Sequence, residues 1–268
     1  MNVSTRGIAG TGEQVLVGGF ATTGSSSKQF LIRGAGPALE GFVSNPLPDP
    51  RLDLFHLGGF VSFASNDDWE DPDGTAIATA ALKSGAFAFA AGSKDSALLT
   101  TPGPGGYTAQ VSGADGGTGI GLVEIYDANT EDLGGRLVNI STRGQVGADE
   151  NRLIAGFYIQ GTEPKLVLVR AVGATLADYG VKVPLPDPRL DIFRAGGTTP
   201  IASIDDWGRS PNPDGVIEGS ALSGAFPLPT GSTDASFILQ LPPGGYTAQV
   251  SGVNGLTGVA LVEVYEVN

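Results

Sequence analysis

The chain has 268 residues, no Cys and one His, and its 15 Lys and Arg against 28 Asp and Glu give a formal net charge of −13. These counts exclude thiolate metal sites, thiol nucleophiles and disulfides, and the acidic balance opposes binding to nucleic acid and to anionic membranes. No apolar run approaches the roughly 20 residues that cross a bilayer, so membrane insertion is not expected. Residues 1–6 lack the charged and apolar segments of a signal peptide, so any export signal is expected to have been removed or to lie outside this chain.

Glycine and proline are abundant, with 42 and 18 residues, and the apolar residues come in short runs, as in all-β domains. The segment Pro104–Gly113 recurs letter for letter at Pro243–Gly252. Since the neighbouring motifs recur in the same order, the sequence predicts two copies of one module. We place the domains at residues 1–128 and 138–268, joined by a short polar linker at 129–137.

Apolar and β-branched runs predict the strands of each module. The prolines before Arg51 cannot donate ladder hydrogen bonds, so the chain enters that strand in extended form. After Trp69, the segment Asp71-Pro-Asp-Gly74, aligned with Asn212-Pro-Asp-Gly215, predicts a surface loop of variable length. The predicted strands of the first copy lie within residues 2–7, 14–20, 28–33, 51–55, 63–66, 96–100, 107–111 and 118–126.

Alternation and composition indicate how these strands are used. Tyr107, Ala109 and Val111 alternate with polar residues and are expected to point inward, whereas residues 118–126 are apolar on both faces and predict a central strand. Long helices and helical crossovers are not expected. The predicted fold is therefore all-β, with two tandem jelly-roll-like antiparallel β-sandwich domains.

The motifs that recur in the two copies are Asn139-Ile-Ser-Thr-Arg-Gly144, the Arg-ended third strand Lys28-Gln-Phe-Leu-Ile-Arg33, Asp49-Pro-Arg-Leu-Asp-Leu-Phe55, Ala64-Ser-Asn-Asp-Asp-Trp69, Pro104-Gly-Gly-Tyr-Thr-Ala109 and Gly121-Leu-Val-Glu-Ile-Tyr126. In order, the motifs resemble a tandem β-sandwich repeat module of large secreted or surface proteins of environmental bacteria, which implies export and a structural or adhesive role. The half from Asp53 through Tyr126 is more distantly similar to the bacterial pre-peptidase C-terminal domain, a jelly-roll appendage of secreted proteases. That similarity implies a binding accessory module, calcium-stabilised in some members, and no catalysis.

The acidic turn after residues 63–66 is a candidate calcium site, because calcium binds about six to eight oxygen ligands that paired Asp residues and a Gly-containing loop can supply. No EF-hand spacing is present, and Asn66 of the first copy is Ile204 in the second. The other interpretation is that these Asp residues cap turns and solubilise the loop. The candidate ligands are Asp53, Asp67, Asp68 and Asp73, with the counterparts Asp191, Asp205, Asp206 and Asp214.

One acidic residue of each copy lies inside the predicted central strand. Glu124 and Glu263 stand between apolar neighbours, where a lone ionised carboxylate would be costly. Their expected partners are Arg33 and Arg170, which end the third strand, with Arg6 and Arg143 as the alternatives. We interpret these as structural ion pairs that hold the two sheets in register, because no second strand-borne acid recurs to form a catalytic pair.

The remaining candidates do not indicate catalysis. His56 is replaced by Arg194 in the second copy, so a catalytic triad or a zinc site is not a property of the module. Trp69 and Trp207 are expected to pack over the end of each sandwich and to donate the indole N–H to a loop carbonyl.

The sequence thus predicts a non-catalytic protein, secreted or displayed on the cell surface, whose copies assemble head to tail into a stalk or fibre. Because residue 2 aligns inside a strand, strand complementation by another chain is one route to assembly, and a processing site accounts for the same start. The alternative function is a calcium-dependent accessory module of a larger secreted enzyme, binding a surface glycan or a protein.

Overall fold

The computed structural model describes residues 2–129, 135–148 and 151–267. The chain divides into two compact units, Met1–Val138 and Asn139–Asn268, called the first and second unit below. The linker predicted at 129–137 ends just before this division: residues 130–134 lie outside the described residues, and residues 135–137 already belong to a strand.

The described strands of the first unit form two antiparallel sheets. One sheet, called the helix-covered sheet, has the order β6-β3-β8-β1. The other, called the hairpin sheet, has the order β5-β4-β7-β2. The strands are β1 (Asn2–Ala9), β2 (Leu16–Gly24), β3 (Phe30–Ala35), β4 (Pro50–His56), β5 (Ala64–Asn66), β6 (Ser96–Thr100), β7 (Gly105–Gly113) and β8 (Gly119–Asp127).

The second unit has the same topology. Its helix-covered sheet is β14-β11-β16-β9 and its hairpin sheet is β13-β12-β15-β10. In each unit this strand order is that of a jelly roll, so the predicted all-β class is confirmed. The strands are β9 (Gly135–Val146), β10 (Leu153–Ile159), β11 (Lys165–Val172), β12 (Pro188–Arg194), β13 (Ala202–Ile204), β14 (Ala235–Leu241), β15 (Gly244–Gly252) and β16 (Gly258–Glu266).

The core of the first unit lies between its two sheets. A Cβ atom at Gly34 of β3 would lie 2.9 Å from Cγ2 of Val111 on β7, and one at Gly18 of β2 would lie 2.8 Å from Cγ1 of Val123 on β8. Such distances leave no room for a side chain, so these glycines let the sheets approach closely. The predicted alternation of β7 is confirmed by the buried side chains of Tyr107, Ala109 and Val111.

Each unit also contains an α-helix of 11 residues, α1 (Gly74–Ser84) and α2 (Pro213–Ser223), where the sequence predicted only a loop. The expectation of a loop is wrong because this segment has a buried apolar face. Ile77, Ala80 and Ala81 of α1 pack with Trp69 and Leu31 on the outer face of the helix-covered sheet. Most of the stability of a short helix comes from such packing. Short 3-10 turns complete the described elements, at Gly12–Gln14, Pro37–Leu39, Ala174–Tyr179, Trp207–Arg209 and Val253–Gly255.

The helix caps correct the alignment of the two copies. Asp73 caps α1 by accepting a hydrogen bond from the backbone N–H of Ala76, and Asn212 caps α2 by accepting from Gly215. The counterpart of Asp73 is therefore Asn212 and not Asp214, which lies in the first turn of α2. Neither helix, in the part of the chain that is described, has the length or apolarity needed to span a bilayer.

Candidate functional site

The candidate site of the first unit is built on the outer face of its helix-covered sheet. Arg33 of β3 lies opposite Glu124 of β8 in the strand register. The Arg33 Nε and Glu124 Oε2 atoms are 3.5 Å apart, and the two side chains are only 1% and 5% exposed. The Tyr126 hydroxyl donates to Glu124 Oε1 at 2.6 Å, and Arg33 Nη1 donates to the Phe87 carbonyl at 2.8 Å. The pair thus joins two neighbouring strands to the segment that follows α1.

The second unit repeats this arrangement. Arg170 Nε lies 3.4 Å from Glu263 Oε2, and Arg170 Nη1 donates to the Phe226 carbonyl at 2.8 Å. The Tyr265 hydroxyl donates to Glu263 Oε1 at 2.6 Å. The structure therefore brings both predicted Arg and Glu residues together. The expectation that each pair holds the two sheets in register is wrong, because both partners belong to one sheet and face away from the other.

Burial dominates the electrostatics of the pair in the first unit. It raises the pKa of Glu124, while the charge of Arg33 and the hydrogen bond from Tyr126 act in the opposite direction. Burial also lowers the pKa of Arg33, and the charge of Glu124 opposes that change. Since both groups have been removed from water, each depends on the other for compensation.

A cavity of about 200 Å³, called the Arg33 cavity below, lies between α1 and the segment that follows it. The Arg33 guanidinium carbon is 4.2 Å and 3.8 Å from the ring centroids of Phe87 and Phe89. Arg33 Nη2 is buried and has no hydrogen-bond partner among the described residues. A shallower groove of about 620 Å³ shares Trp69, Ala78 and Leu82 with this cavity. The arrangement provides a cavity whose walls are mostly apolar and aromatic.

The predicted indole hydrogen bonds are present. Trp69 Nε1 donates to the Ala90 carbonyl at 3.2 Å, and Trp207 Nε1 donates to the Pro229 carbonyl at 3.2 Å. Both rings lie beneath the helices on the outer face of the sheet, rather than over the end of the sandwich as predicted.

Three of the four acidic residues of the predicted calcium site in the first unit have separate partners. Arg51 donates to both carboxylate oxygens of Asp53, at 2.8 and 3.0 Å, and Lys94 Nζ donates to Asp68 at 2.9 Å. Asp73 caps α1, and Asp67 is exposed in the turn after β5. Asp53, Asp68 and Asp73 therefore hold different parts of the chain.

The counterparts in the second unit behave similarly. Asp191 accepts from Arg189 at 3.2 Å and from the Ser203 hydroxyl at 2.5 Å, and Asp206 is paired with Arg209 at 3.2 Å. Asp205 follows β13 in the same turn, and Asp214 lies in α2. Within residues 2–129, 135–148 and 151–267, no group of three or more His, Cys, Asp or Glu side chains is arranged to hold a metal ion.

Sequence reasoning missed one buried carboxylate in each unit. Asp95 is fully buried and accepts hydrogen bonds from the backbone N–H groups of Gly36 and Ala38 and from the Ser93 hydroxyl. Asp234 of the second unit is equally buried and accepts from the backbone N–H of Gly173. The available signal was an Asp that recurs just before a strand, at β6 and at β14.

Comparisons with known proteins identify no family. No protein-family model matches the sequence, and no curated protein matches it. Among solved structures, a plant receptor-like kinase, FER, is similar at 9% identity and a TM-score of 0.23, over 99% of this chain and 88% of that chain. PNGF-II is similar at 11% identity and a TM-score of 0.25, over 97% of this chain and 62% of that chain. At these TM-scores the likeness carries no argument about function.

Proposed function

We propose that this protein is a non-catalytic extracellular structural module that associates with further copies of itself to build a surface stalk or fibre. The observation that carries the proposal is an apolar tip on the hairpin between β4 and β5 of the first unit. This apolar tip consists of Leu57, Phe60 and Val61, which are 72%, 97% and 82% exposed. Large apolar side chains grouped at a surface are a common mark of an interaction site.

The second unit has the same backbone at this place with different side chains. Leu57 N–H donates to the Gly106 carbonyl at 2.9 Å, and Ala195 N–H donates to the Gly245 carbonyl at the same distance. The glycine that follows has a φ of +75° in both units. Because the hairpin forms equally with either set of side chains, folding does not require the apolar ones.

The side chains that replace the apolar tip in the second unit are small or polar: Ala195, Thr198 and Thr199. Phe60 gains almost no burial within its own unit, so its ring is not part of the core. An interaction outside the unit accounts for such a ring, since exposing it to water is unfavourable.

Charge favours contact at this tip over contact elsewhere. The chain carries a net charge of −13, so two copies repel each other over most of their surfaces, whereas residues 57–63 contain no charged side chain. Burying three such side chains contributes about 5–8 kcal/mol. Association costs about 4–15 kcal/mol, so a single contact is expected to be weak and to need high protein concentration.

The test exchanges the apolar tip for the side chains of the second unit. Sedimentation velocity over a range of concentrations should show association of the wild-type chain, and the triple variant Leu57→Ala, Phe60→Thr, Val61→Thr should remain monomeric. A matched control is Phe42→Thr, which removes a ring that is 82% exposed at another loop and should leave association unchanged. Circular dichroism checks that each variant folds. The proposal fails if the triple variant associates as the wild type does, or if the wild type stays monomeric at the highest concentration.

A further inference from the structure

The turn between β15 and β16 of the second unit contains the one Asn-Gly pair of the sequence, Asn254-Gly255. Both residues are exposed, and Asn254 has left-handed backbone, with a φ of +54° and a ψ of +27°. It is the one residue other than glycine with a positive φ among those described. Asn adopts this conformation more readily than most residues because its side chain is short and polar. The turn therefore presents an amide side chain to solvent.

The amide of Asn254 is not held in place. Among the described residues, its side chain has no hydrogen-bond partner. The aligned residue of the first unit is Asp115, whose Oδ1 accepts from the Gly117 N–H at 2.7 Å. The corresponding N–H in the second unit, that of Leu256, donates to the Val253 carbonyl at 3.2 Å instead. The Asn254 side chain is therefore free to rotate toward the next backbone nitrogen.

That nitrogen belongs to Gly255, where the chain is open. Gly255 has a φ of +76°, and a Cβ atom added to it would meet nothing within 4 Å beyond its two chain neighbours. A side chain at this position would stand beside the nitrogen, so its absence lowers the steric barrier to a reaction there. The pair thus combines a mobile amide with an accessible backbone nitrogen.

The other Asn residues lack this combination. Asn45 and Asn212 precede proline, which has no N–H. The Asn66 amide donates to the carbonyls of Asp68 and Asp71 and accepts from the Ala97 N–H. Four further Asn residues precede a residue with a side chain: Asn2, Asn129, Asn139 and Asn151.

We propose that Asn254 is a site of spontaneous covalent modification, at which the backbone nitrogen of Gly255 attacks the side-chain carbonyl carbon. The nitrogen gives up its proton and bonds to Asn254 Cγ, the bond from Cγ to Nδ2 breaks, and Nδ2 leaves with that proton as ammonia. Water then opens the cyclic imide. Attack at Cγ gives Asp, whereas attack at the backbone carbonyl gives isoaspartate, in which the main chain runs through Cβ and Cγ. Water is the co-reactant, and nothing is oxidised or reduced.

The two products are expected to affect the second unit differently. The first unit already forms this turn with Asp115, so Asp in place of Asn254 keeps the turn and adds a negative charge. Isoaspartate adds one atom to the main chain, and the turn has no room for it. A Cβ atom at Gly252 would collide with the Leu256 carbonyl oxygen and would lie 3.0 Å from Cδ1 of Leu185, which is fully buried. Isoaspartate should therefore loosen the packing of the turn on the core.

The experiment ages the purified full chain in mildly alkaline buffer and follows each Asn by mass spectrometry of its peptides. The peptide that contains Asn254 should first lose ammonia and then gain the mass of an acid, as two isomers that separate by chromatography. Because the deprotonated nitrogen is the nucleophile, the rate should rise with hydroxide concentration. We expect Asn254 to react at least about 10-fold faster than any other Asn, which corresponds to a barrier lower by about 1.4 kcal/mol.

Two controls accompany the aged protein. Asn254→Gln should stay unmodified over the same period, since Gln would have to close a larger ring. Asp115 should not form isoaspartate, because its side chain is held and the Gly116 N–H donates to the Gly113 carbonyl at 3.0 Å.

Urea unfolding measures the effect on packing, with the indole N–H signal of Trp207 reporting on the second unit and that of Trp69 on the first. The isoaspartate share of the aged chain should appear as a second population whose Trp207 midpoint is lower by at least about 0.5 M. The Trp69 midpoint should not move. Fresh Asn254→Asp protein supplies the other product and should unfold like the unaged wild type.

Each result decides part of the proposal, which does not depend on the proposed function. The site is refuted if Asn254 stays intact while other Asn residues react. A reaction that occurs in urea-unfolded protein alone also refutes it, because the folded turn would then protect Asn254. If both isomers form and the Trp207 midpoint remains single, the modification site stands and the effect on packing is refuted.

Discussion

Replacing Glu124 by Gln tests whether the buried ion pair stabilises the first unit. The amide keeps the length of the side chain and an acceptor for the Tyr126 hydroxyl, and it removes the charge that faces Arg33. The guanidinium side chain is 1% exposed, so its charge would then be buried without a counter-charge. Removing one partner of a buried pair costs about 3–5 kcal/mol, and we expect a loss of that size in the free energy of unfolding.

Removing both charges should be less harmful than removing one. Apolar residues of similar volume in place of a buried pair are often neutral or stabilising. In the double variant Arg33→Met, Glu124→Leu, the Phe87 carbonyl and the Tyr126 hydroxyl each lose a partner, at about 1 kcal/mol each. We therefore expect the double variant to be more stable than Glu124→Gln by at least about 1 kcal/mol.

Urea unfolding followed through the two indole N–H signals measures each unit separately, since Trp69 belongs to the first unit and Trp207 to the second. With a urea dependence of about 1–3 kcal/mol/M, Glu124→Gln should lower the Trp69 midpoint by about 2 M and leave the Trp207 midpoint in place. The matched control Glu263→Gln should do the reverse. A Trp69 shift below about 0.5 M, or a double variant no more stable than the single one, would refute the reasoning.

Further predictions concern single carboxylates. Asp73→Ala should destabilise the first unit by about 1 kcal/mol, because it removes the cap of α1. Asp214→Ala should have almost no effect on the second unit, because Asn212 caps α2. Equal shifts of the urea midpoint in the two variants would contradict this. Asp95→Ala leaves two backbone N–H groups without an acceptor and should cost about 3 kcal/mol in the same assay, and a loss below about 1 kcal/mol would contradict the assignment. A bound calcium ion at a hundredfold excess over its Kd would raise the free energy of unfolding by about 2.7 kcal/mol. We expect no such rise in saturating calcium, because most of the predicted ligands already accept hydrogen bonds from other donors. A rise of that size would support the calcium site.

The positions of the strands along the chain and the buried pair were accessible from the sequence because both depend on strong local rules. An ionised carboxylate inside an apolar strand needs a partner, and each copy offers an Arg at the end of a neighbouring apolar strand. The face on which the pair lies was not accessible. In β3, Leu31 and Arg33 alternate with Ile32 and Gly34, and both sets contain an apolar residue, so alternation does not tell the core side from the helix side.

The helices were missed although their signals are present. Asp73 before the segment and Gly85 after it, with a φ of +72°, are ordinary helix start and stop residues. The recurring Pro-Asp-Gly triplet suggested a different alignment of the two copies, in which the segment looked like a loop of variable length. The stability of α1 depends on the packing of Ile77 against the helix-covered sheet. The strands of that sheet are remote from α1 in the sequence.

The acidic turn shows why a residue type does not determine a site. A carboxylate serves calcium, a helix N-terminus or an Arg side chain with the same oxygens, and the choice depends on which donors the fold brings near. Lys94 reaches Asp68 from a position 26 residues away, and that proximity follows from the path of the chain around α1. The spacing of the Asp residues within the turn therefore could not predict this contact.

Comparison of the two units separates what folding needs from what it does not. The buried Arg and Glu pair, the buried Asp before the sixth strand and the capped helix occur in both, so they maintain the shared fold. Phe60 and Ala78 occur only in the first unit. The second unit folds to the same topology with Thr198 and Ile217 in their places. Nothing inside the first unit therefore requires an exposed ring or an open cavity mouth.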